Sequence, residues 1–351
     1  MKQQINSLTA TRGFAALMVF IFHFGREVFP FKNFQHLFYN GNTAVSYFYV
    51  LSGFVLYLSY AGREFTYGNY LKKRFARIWP AYIVGLAIFV YVYLYSYKMA
   101  YTPDLNYQII YSFFFIQAFF GDYALVLNTA AWSISVEMTF YVLFPLLLFV
   151  QGKLPRLFIA GAAILYVCTH IIFFVKFKDN PSLVQNWNHM FYHPVMHMHQ
   201  FLIGMVGGYF FTKMKAVRSQ FAIKPILIFA LIIALIVLKP WTLHFEVGLI
   251  SPLFMLFIMF LAIDNPKFLN WKPLVFFGEI SYGIYILQFP VHEYLMGVPY
   301  LRYHVSEQNF FFVSLGILII AAIVSYYLIE MPFRKLLTGK KRKAIAATGG
   351  E

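Results

Sequence analysis

The sequence predicts an all-α fold: a polytopic bundle of about ten transmembrane helices in one domain. Two observations predict it. Hydrophobic residues make up 61% of the chain and charged residues only 12%, which is about half the charged fraction of a typical soluble domain. Apolar runs such as 131–150 and 276–296 also approach the length of about 20 residues that a helix needs to cross the hydrocarbon core.

The apolar segments divide the chain in a regular order. The first segment carries Arg12 and His23 and has no small-residue cleavage site after it, so it is expected to be a retained helix rather than a signal peptide. The stretch 109–120 is too short to span and is expected to be re-entrant or interfacial. The predicted spans lie near residues 8–28, 44–60, 79–97, 131–150, 157–175, 195–211, 225–238, 248–263, 275–295 and 309–329.

The basic residues between these segments predict the orientation. If 109–120 does not span, most lysines and arginines fall on the side of the N-terminus, whereas a span there reverses the balance. The positive-inside rule therefore favours ten spans with both termini in the cytoplasm. The same placement accounts for the net charge of +15 through orientation and contacts with membrane lipid, which argues against nucleic-acid binding.

The remaining features of the whole chain concern its domain boundaries and the packing of its helices. Residues 1–337 are expected to form the membrane domain, and residues 338–351 a flexible, basic cytoplasmic tail. Gly204, Gly207 and Gly208 are expected to let helices approach closely. Cys168 is the sole cysteine, so no intramolecular disulfide forms, and a packing role inside the bundle is expected for it.

Ionisable residues inside predicted spans are the first candidates for function, because burying them in hydrocarbon costs about 2.5–3.5 kcal/mol on insertion scales. Arg12 and His23 are eleven residues apart, which places them on one helix face with a rise of about 16 Å between them. Glu137 shares a face with Ser133 and Tyr141 and is expected at the depth of His23. Snorkelling of the arginine, a core histidine and a structural carboxylate are the alternatives.

A polar stripe marks the ninth predicted span. Ser281, Tyr285, Gln288 and His292 follow one another at intervals of four, three and four, the pattern of one helix face. Such a face either lines a wet cavity or forms hydrogen bonds to a neighbouring helix, and the pattern leaves both possibilities open.

A basic cluster, Lys72, Lys73, Arg74 and Arg77, precedes Trp79 in the predicted loop 61–77. Guanidinium and ammonium groups suit a phosphorylated ligand, although an ordinary cytoplasmic loop has the same composition.

A second cluster contains only histidines at short spacing. It is interrupted by a proline and has a single carboxylate nearby, so no metal site is predicted there, and a role at the outer mouth or in acceptor contact is expected. Its members are His189, His193, His197 and His199.

Six motifs in order carry a family resemblance over nearly the whole chain. They are LTATRGFAALMVFIFHF, FYVLSGFVL, KKRFARIWPAY, AAWSISVEMTFYVLFP, FFGEISYGIYILQFPV and EMPFRK. The chain thereby resembles the acyltransferase-3 family, the membrane O-acyltransferases that acetylate bacterial O-antigen and exopolysaccharide.

The resemblance implies an enzyme in the inner (plasma) membrane that uses cytoplasmic acyl-CoA, most simply acetyl-CoA, as a co-substrate and holds no permanent cofactor. The implied acceptor is a glycan or polysaccharide on the outer face, as in lipopolysaccharide or other cell-envelope glycans. Arg12 and His23 match the essential Arg-x10-His motif, and Trp132, Ser133 and Glu137 stand in the fourth motif. Relatives often have histidine where this chain has Gln288, which puts a histidine role at that position in doubt.

The resulting hypothesis places these residues along one passage that leads from the cytoplasmic donor site to His23. Lys73, Arg74 and Arg77 would hold the CoA, and its extended arm would pass Arg12 toward His23, which acts as general base or transient acyl carrier. Glu137 would orient groups or relay protons. The substrate cavity would be lined by Trp132, Ser133, Tyr141, Ser281, Tyr285, Gln288 and His292. The competing hypothesis from another class is a transporter that exports a glycan without covalent chemistry.

Overall fold

The computed structural model describes residues 5–96, 103–177, 187–214, 222–238 and 247–338, and every regular element in those ranges is helical. Helices satisfy their backbone hydrogen bonds internally, as a chain in hydrocarbon must. In the first half they are α1 (Asn6–Phe24), α2 (Gln35–Phe38), α3 (Thr43–Tyr60), α4 (Tyr67–Tyr91), α5 (Pro103–Phe113), α6 (Trp132–Lys153) and α7 (Pro155–Phe177).

The second half continues in the same way. A π-helical turn, Tyr326–Glu330, joins its last two helices. The elements are α8 (Trp187–Phe191), α9 (Pro194–Lys213), α10 (Ile223–Leu238), α11 (Ser251–Asp264), α12 (Lys272–Glu279), α13 (Ser281–Met296), α14 (Pro299–His304), α15 (Glu307–Ser325) and α16 (Met331–Thr338).

The protein is a multi-pass membrane protein, but the expected count of ten spans is not confirmed. Among the described residues, six helices are long and apolar enough to cross a membrane: α1, α3, α4, α6, α7 and α15 with its continuation. A seventh span results if α12 and α13, which meet at an angle of 53°, act as one. The sequence also predicted α9, α10 and α11 as spans. α10 and α11 have only 16 and 14 residues, and α9 carries His197, His199 and Gln200 along its buried length.

The centre of the bundle is the crossing of α3 and α9. About 78% of the apolar stretch of α3 is buried, against 22% for α7 and for α15, which therefore form the periphery. A Cβ atom on Gly53 would lie 2.1 Å from the carbonyl oxygen of Phe201, and one on Gly204 would lie 2.0 Å from that of Val50. The two backbones thus touch, and the close packing predicted for Gly204 is confirmed.

Two local predictions are wrong. The basic cluster does not lie in a loop, because α4 already begins at Tyr67 and carries Lys72 to Arg77 on its first turns. Cys168 does not pack inside the bundle: its side chain is exposed on peripheral α7, among the exposed apolar residues Ile164 and Ile171. Of the stretch 109–120, residues 109–113 belong to α5 and Gln117–Phe119 form a short 3-10 helix. The tail after Thr338 lies outside the described residues.

Candidate active site

A cavity of about 750 Å³ opens among α1, α3, α4, α6, α13 and the π-helical turn before α16. Nine side chains proposed from the sequence line it together. They are Arg12, Lys73, Arg74, Arg77, Ser133, Glu137, Tyr141, Ser281 and Tyr285. The polar stripe of α13 is therefore split, since its first two members face the cavity whereas Gln288 and His292 lie outside the lining.

Charged side chains gather in part of this cavity. The three expected cations of α4 are joined by Arg63 and Arg334, which the sequence analysis did not single out. Lys72 belongs to the same run of α4 but is exposed and takes no part in the lining. The signal for Arg334 was present in the sequence, because it stands in the EMPFRK motif that ends the last helix.

Arg74 has aromatic surroundings that hold it in place. Its guanidinium carbon lies 5.8 Å from the ring centre of Tyr60 and 6.0 Å from those of Tyr70 and Tyr141. Cation–π attraction fixes the side chain without using its N–H donors. Its buried Nε has no hydrogen-bond partner among the residues that the structure describes. An anion in the cavity can therefore be bound by this group.

Three carboxylates, those of Glu137, Glu279 and Glu330, also line the cavity and offset part of the charge of the arginines. Glu330 is 1% exposed and interacts electrostatically with Arg334, Arg77 and Arg12. Arg12 also interacts with Glu137 on the opposite wall. Because the cations exceed the carboxylates in this lining, the cavity keeps a surplus of positive charge for an anionic ligand.

Glu137 is held by hydroxyl groups. Ser52 Oγ donates to its Oε1 at 3.2 Å, and the hydroxyl of Tyr141, one turn further along α6, donates to the same oxygen. The sequence predicts Glu137 at the depth of His23. In the structure, Glu137 lines the cavity with Arg12, with which it interacts electrostatically, whereas His23 is not part of that lining. Asn128, Ala130 and Ala131 are buried, so α6 starts inside the bundle rather than at its surface.

The cavity ends at a hydrogen-bonded contact between α6 and α13. Ser133 Oγ lies 2.6 Å from the hydroxyl oxygen of Tyr285, and both hydroxyls reach the carbonyl oxygen of Ala130, at 3.0 and 3.2 Å. Phe48 packs edge-on against the ring of Tyr285. We call Ser133, Tyr285 and Phe48 the neck.

His23 lies beyond the neck, outside the lining of the cavity. Its Nδ1 is 2.9 Å from Oε1 of Gln288, whose own Nε2 donates to the backbone carbonyl of Tyr285 at 2.7 Å. The cavity that contains Arg12 therefore does not extend to His23, and the step from Tyr285, which lines it, to Gln288, which does not, is about one helical turn of α13.

Two predicted cavity residues pack elsewhere. Trp132 contacts the rings of Phe191, Tyr192 and His197, because it lies next to Ser133 and a one-residue step turns a helical side chain by about 100°. His292 stacks on Phe24 with ring centres 4.0 Å apart. Neither residue is part of the lining of this cavity.

The four histidines of the second cluster lie in separate surroundings. His189 lies 3.4 Å from Asp122, and His193 caps α9 by accepting from the N–H of Val195. His197 and His199 are fully buried and contact different neighbours, so neither offers a surface to an acceptor.

Comparisons with known proteins agree with the motifs. The family described as Acyltransferase domain matches residues 5–330. The acyltransferase MdmB of Streptomyces mycarofaciens is 27% identical over 373 residues, which cover 98% of this chain and 95% of that protein. The O-acetyltransferase OatA of Staphylococcus aureus is 24% identical over 367 residues, and the matched region spans 93% of this chain but only 57% of OatA. No solved structure matches the chain.

Proposed function

Because the chain belongs to the acyltransferase-3 family, we propose that it moves an acetyl group from cytoplasmic acetyl-CoA to a hydroxyl of an extracytoplasmic or lipid-linked glycan. The observation that carries this proposal is the cation-rich cavity that contains Arg12 and stops one helical turn short of His23. The relative OatA is an O-acetyltransferase, which supports acetyl as the transferred group and a hydroxyl as the acceptor.

The donor is assigned from the charge of the cavity. CoA carries several phosphate groups, and arginine forks pair with phosphate oxygens in two hydrogen bonds. Lys73, Arg74 and Arg77 supply such donors on α4, and Arg63 and Arg334 add two more. The narrow pantetheine arm of the donor would then extend along Arg12 toward the neck.

His23 is the proposed base. Its Nε2 takes the proton of the acceptor hydroxyl while that oxygen attacks the thioester carbonyl carbon. The tetrahedral intermediate collapses, the C–S bond breaks, and the CoA sulfur leaves with the proton that Nε2 returns. In the alternative route, Nε2 attacks the thioester carbonyl carbon first, the C–S bond breaks and the CoA thiolate leaves. The acceptor hydroxyl then attacks the acyl-imidazole, the acyl–Nε2 bond breaks, and the hydroxyl proton passes to the CoA thiolate. This route needs the same tautomer of His23.

The remaining polar residues of the cavity have supporting roles in this proposal. Arg12 is suited to hold the donor arm on the cavity side of the neck, and its electrostatic interaction with Glu137 keeps that guanidinium in position. Ser281 is buried with no hydrogen-bond partner among the described residues and faces the same space, so it can bind a polar group of the donor arm.

The neck has to open for either route. The thioester can meet His23 only if the Ser133–Tyr285 contact separates, since that contact closes the cavity before Gln288. In this proposal, the structure is a state open toward the donor side and closed toward the acceptor. Placing both termini in the cytoplasm of the inner membrane follows from the positive-inside rule and makes the cation-rich part of the cavity the inner part.

A comparison of envelope glycans tests the proposal. Cells that express the chain should yield glycans heavier by acetyl groups, and cells that express His23→Ala should not. Unmodified glycans in both cases, together with transport of an unmodified lipid-linked glycan by purified protein in vesicles, would support the transporter hypothesis instead.

A further inference from the structure

Gln288 is the partner of His23 on α13, and its two hydrogen bonds fix which end of its amide faces which group. The side chain is 0% exposed. The backbone carbonyl of Tyr285 only accepts hydrogen bonds, so the amide atom 2.7 Å from it is the donor Nε2. The other end, Oε1, therefore faces Nδ1 of His23 at 2.9 Å.

This orientation determines the tautomer of His23. An amide oxygen can only accept, so the hydrogen bond forms only when Nδ1 carries the proton. In a neutral imidazole the second nitrogen then carries the lone pair, and here that nitrogen is Nε2. Among the residues that the structure describes, none forms a hydrogen bond to Nε2.

The aromatic neighbours of His23 do not set its tautomer, so the hydrogen bond to Gln288 does. Phe22, Phe24 and Phe289 present aromatic rings to the imidazole, with centroid distances of 5.0, 5.9 and 4.8 Å. Aromatic contacts restrict the tilt of the ring but do not distinguish between its tautomers. Gln288 makes that distinction, and the backbone of α13 holds Gln288.

We infer that Gln288 is a positioning residue for transfer: it holds His23 as the Nδ1–H tautomer, with Nε2 ready to accept a proton or an acyl group. The inference rests on the proposed role of His23 and specifies how the chain prepares it. It also explains how the chain functions with glutamine at this position, because an amide oxygen accepts from Nδ1 as a neutral histidine nitrogen would.

The amide has an electrostatic advantage over a carboxylate at this depth. A carboxylate would favour the imidazolium, which has no lone pair on Nε2, and would add a buried charge. A neutral acceptor selects the tautomer and leaves the imidazole uncharged. The inference thus predicts different outcomes for Gln288→Leu, which removes the acceptor, and Gln288→Glu, which keeps an acceptor but adds charge.

Nitrogen NMR of the purified full chain, labelled with 15N-histidine, tests the tautomer directly. The His23 signals are assigned by their loss in His23→Ala. We expect Nδ1 protonated and Nε2 unprotonated in the unaltered chain, and a mixture containing the Nε2–H tautomer in Gln288→Leu. An Nε2–H tautomer in the unaltered chain, or no change in Gln288→Leu, would overturn the inference.

Acetyl transfer from labelled acetyl-CoA to envelope polysaccharide of the expressing cells gives the second measurement. Gln288→Leu should lower kcat by about 10- to 100-fold, the range seen when a partner that orients an imidazole is removed, with the KM for acetyl-CoA unchanged. Gln288→Glu should keep the Nδ1–H signal and move the acidic limb of the pH–rate profile to higher pH. An unchanged kcat in Gln288→Leu, or an unmoved limb in Gln288→Glu, would contradict the positioning role.

Two controls separate this inference from the proposed function. His292→Gln alters the same helix one turn further on without touching the Gln288–His23 bond, so it should keep the His23 tautomer. Full transfer by His23→Ala would overturn the proposed base even if the tautomer is as expected. A wrong tautomer combined with an inactive His23→Ala would overturn only the role of Gln288. Gel filtration in detergent confirms that each variant is folded.

Discussion

The hydroxyl oxygens of Ser133 and Tyr285 lie 2.6 Å apart at the point where the cavity ends, between Arg12 on one side and His23 on the other. This single contact between α6 and α13 separates the proposed donor space from the proposed base.

Removing the hydroxyl of Tyr285 should loosen the neck. In Tyr285→Phe, Ser133 Oγ keeps its hydrogen bond to the carbonyl oxygen of Ala130, so the bundle stays folded while the contact between residues 133 and 285 is lost. A net hydrogen bond contributes about 0.5–1.5 kcal/mol, which predicts roughly a threefold to tenfold rise in access from the cavity to position 23. His23→Cys with Cys168→Ser provides a single thiol, whose labelling from the cytoplasmic side of vesicles measures that access.

Ser281→Cys is the control for this experiment, because its side chain already faces the cavity and should react equally with and without Tyr285→Phe. If the thiol at position 23 reacts at the same rate in both backgrounds, the neck does not close the passage.

Replacing His23 should abolish transfer without unfolding the chain. General-base catalysis contributes about 10²- to 10⁴-fold, and His23→Ala should lose at least that factor in kcat. The rate of acetyl transfer from labelled acetyl-CoA to envelope polysaccharide provides the measurement. His36→Ala, at an exposed position outside the cavity, serves as the matched control and should keep the full rate. Equal rates for the two variants would remove His23 from the mechanism.

The cations of α4 should determine the affinity for the donor. Arg74→Ala with Arg77→Ala removes two guanidinium groups from the cavity lining, and at about 1.5–3 kcal/mol for each charged hydrogen bond the KM for acetyl-CoA should rise at least tenfold. Lys72→Ala removes a charge from the same helix outside the lining and should leave the KM unchanged. Similar KM values for the double variant and for Lys72→Ala would mean that the α4 cations serve only to orient the helix in the membrane and do not bind the donor.

The crossing of α3 and α9 should not tolerate added side chains at the glycines where the two backbones touch. Gly204→Val would place atoms against the Val50 carbonyl oxygen, 2.0 Å from the added Cβ, and overpacking of this kind costs about 1–3 kcal/mol. We expect a lower unfolding temperature in detergent. Gly316→Ala is the control: nothing lies within 4 Å of its Cβ position, and alanine is the better helix former. A Gly204→Val protein as stable as the control would contradict direct backbone contact.

The sequence predicts a helix at each of the ten positions and nine of the side chains that line the cavity, because polar residues at helical spacing are costly in hydrocarbon unless they face a common space. It does not predict the bend between α12 and α13, where it places one span at 275–295. It also does not predict that the turns before α6 fold inward, because that depends on tertiary packing. The pairing of His23 with Gln288 joins residues 265 positions apart, which spacing along one helix does not reveal.

At adjacent positions of α3, Ser52 contacts the carboxylate of Glu137 and Gly53 touches the backbone of α9. One wall of the cavity is consequently anchored to a joint at which the backbones of two helices touch. Evolution or protein engineering toward a bulkier acyl group would therefore have to trim side chains on α4, α6 or α13, because moving α3 outward would require that joint to be rebuilt.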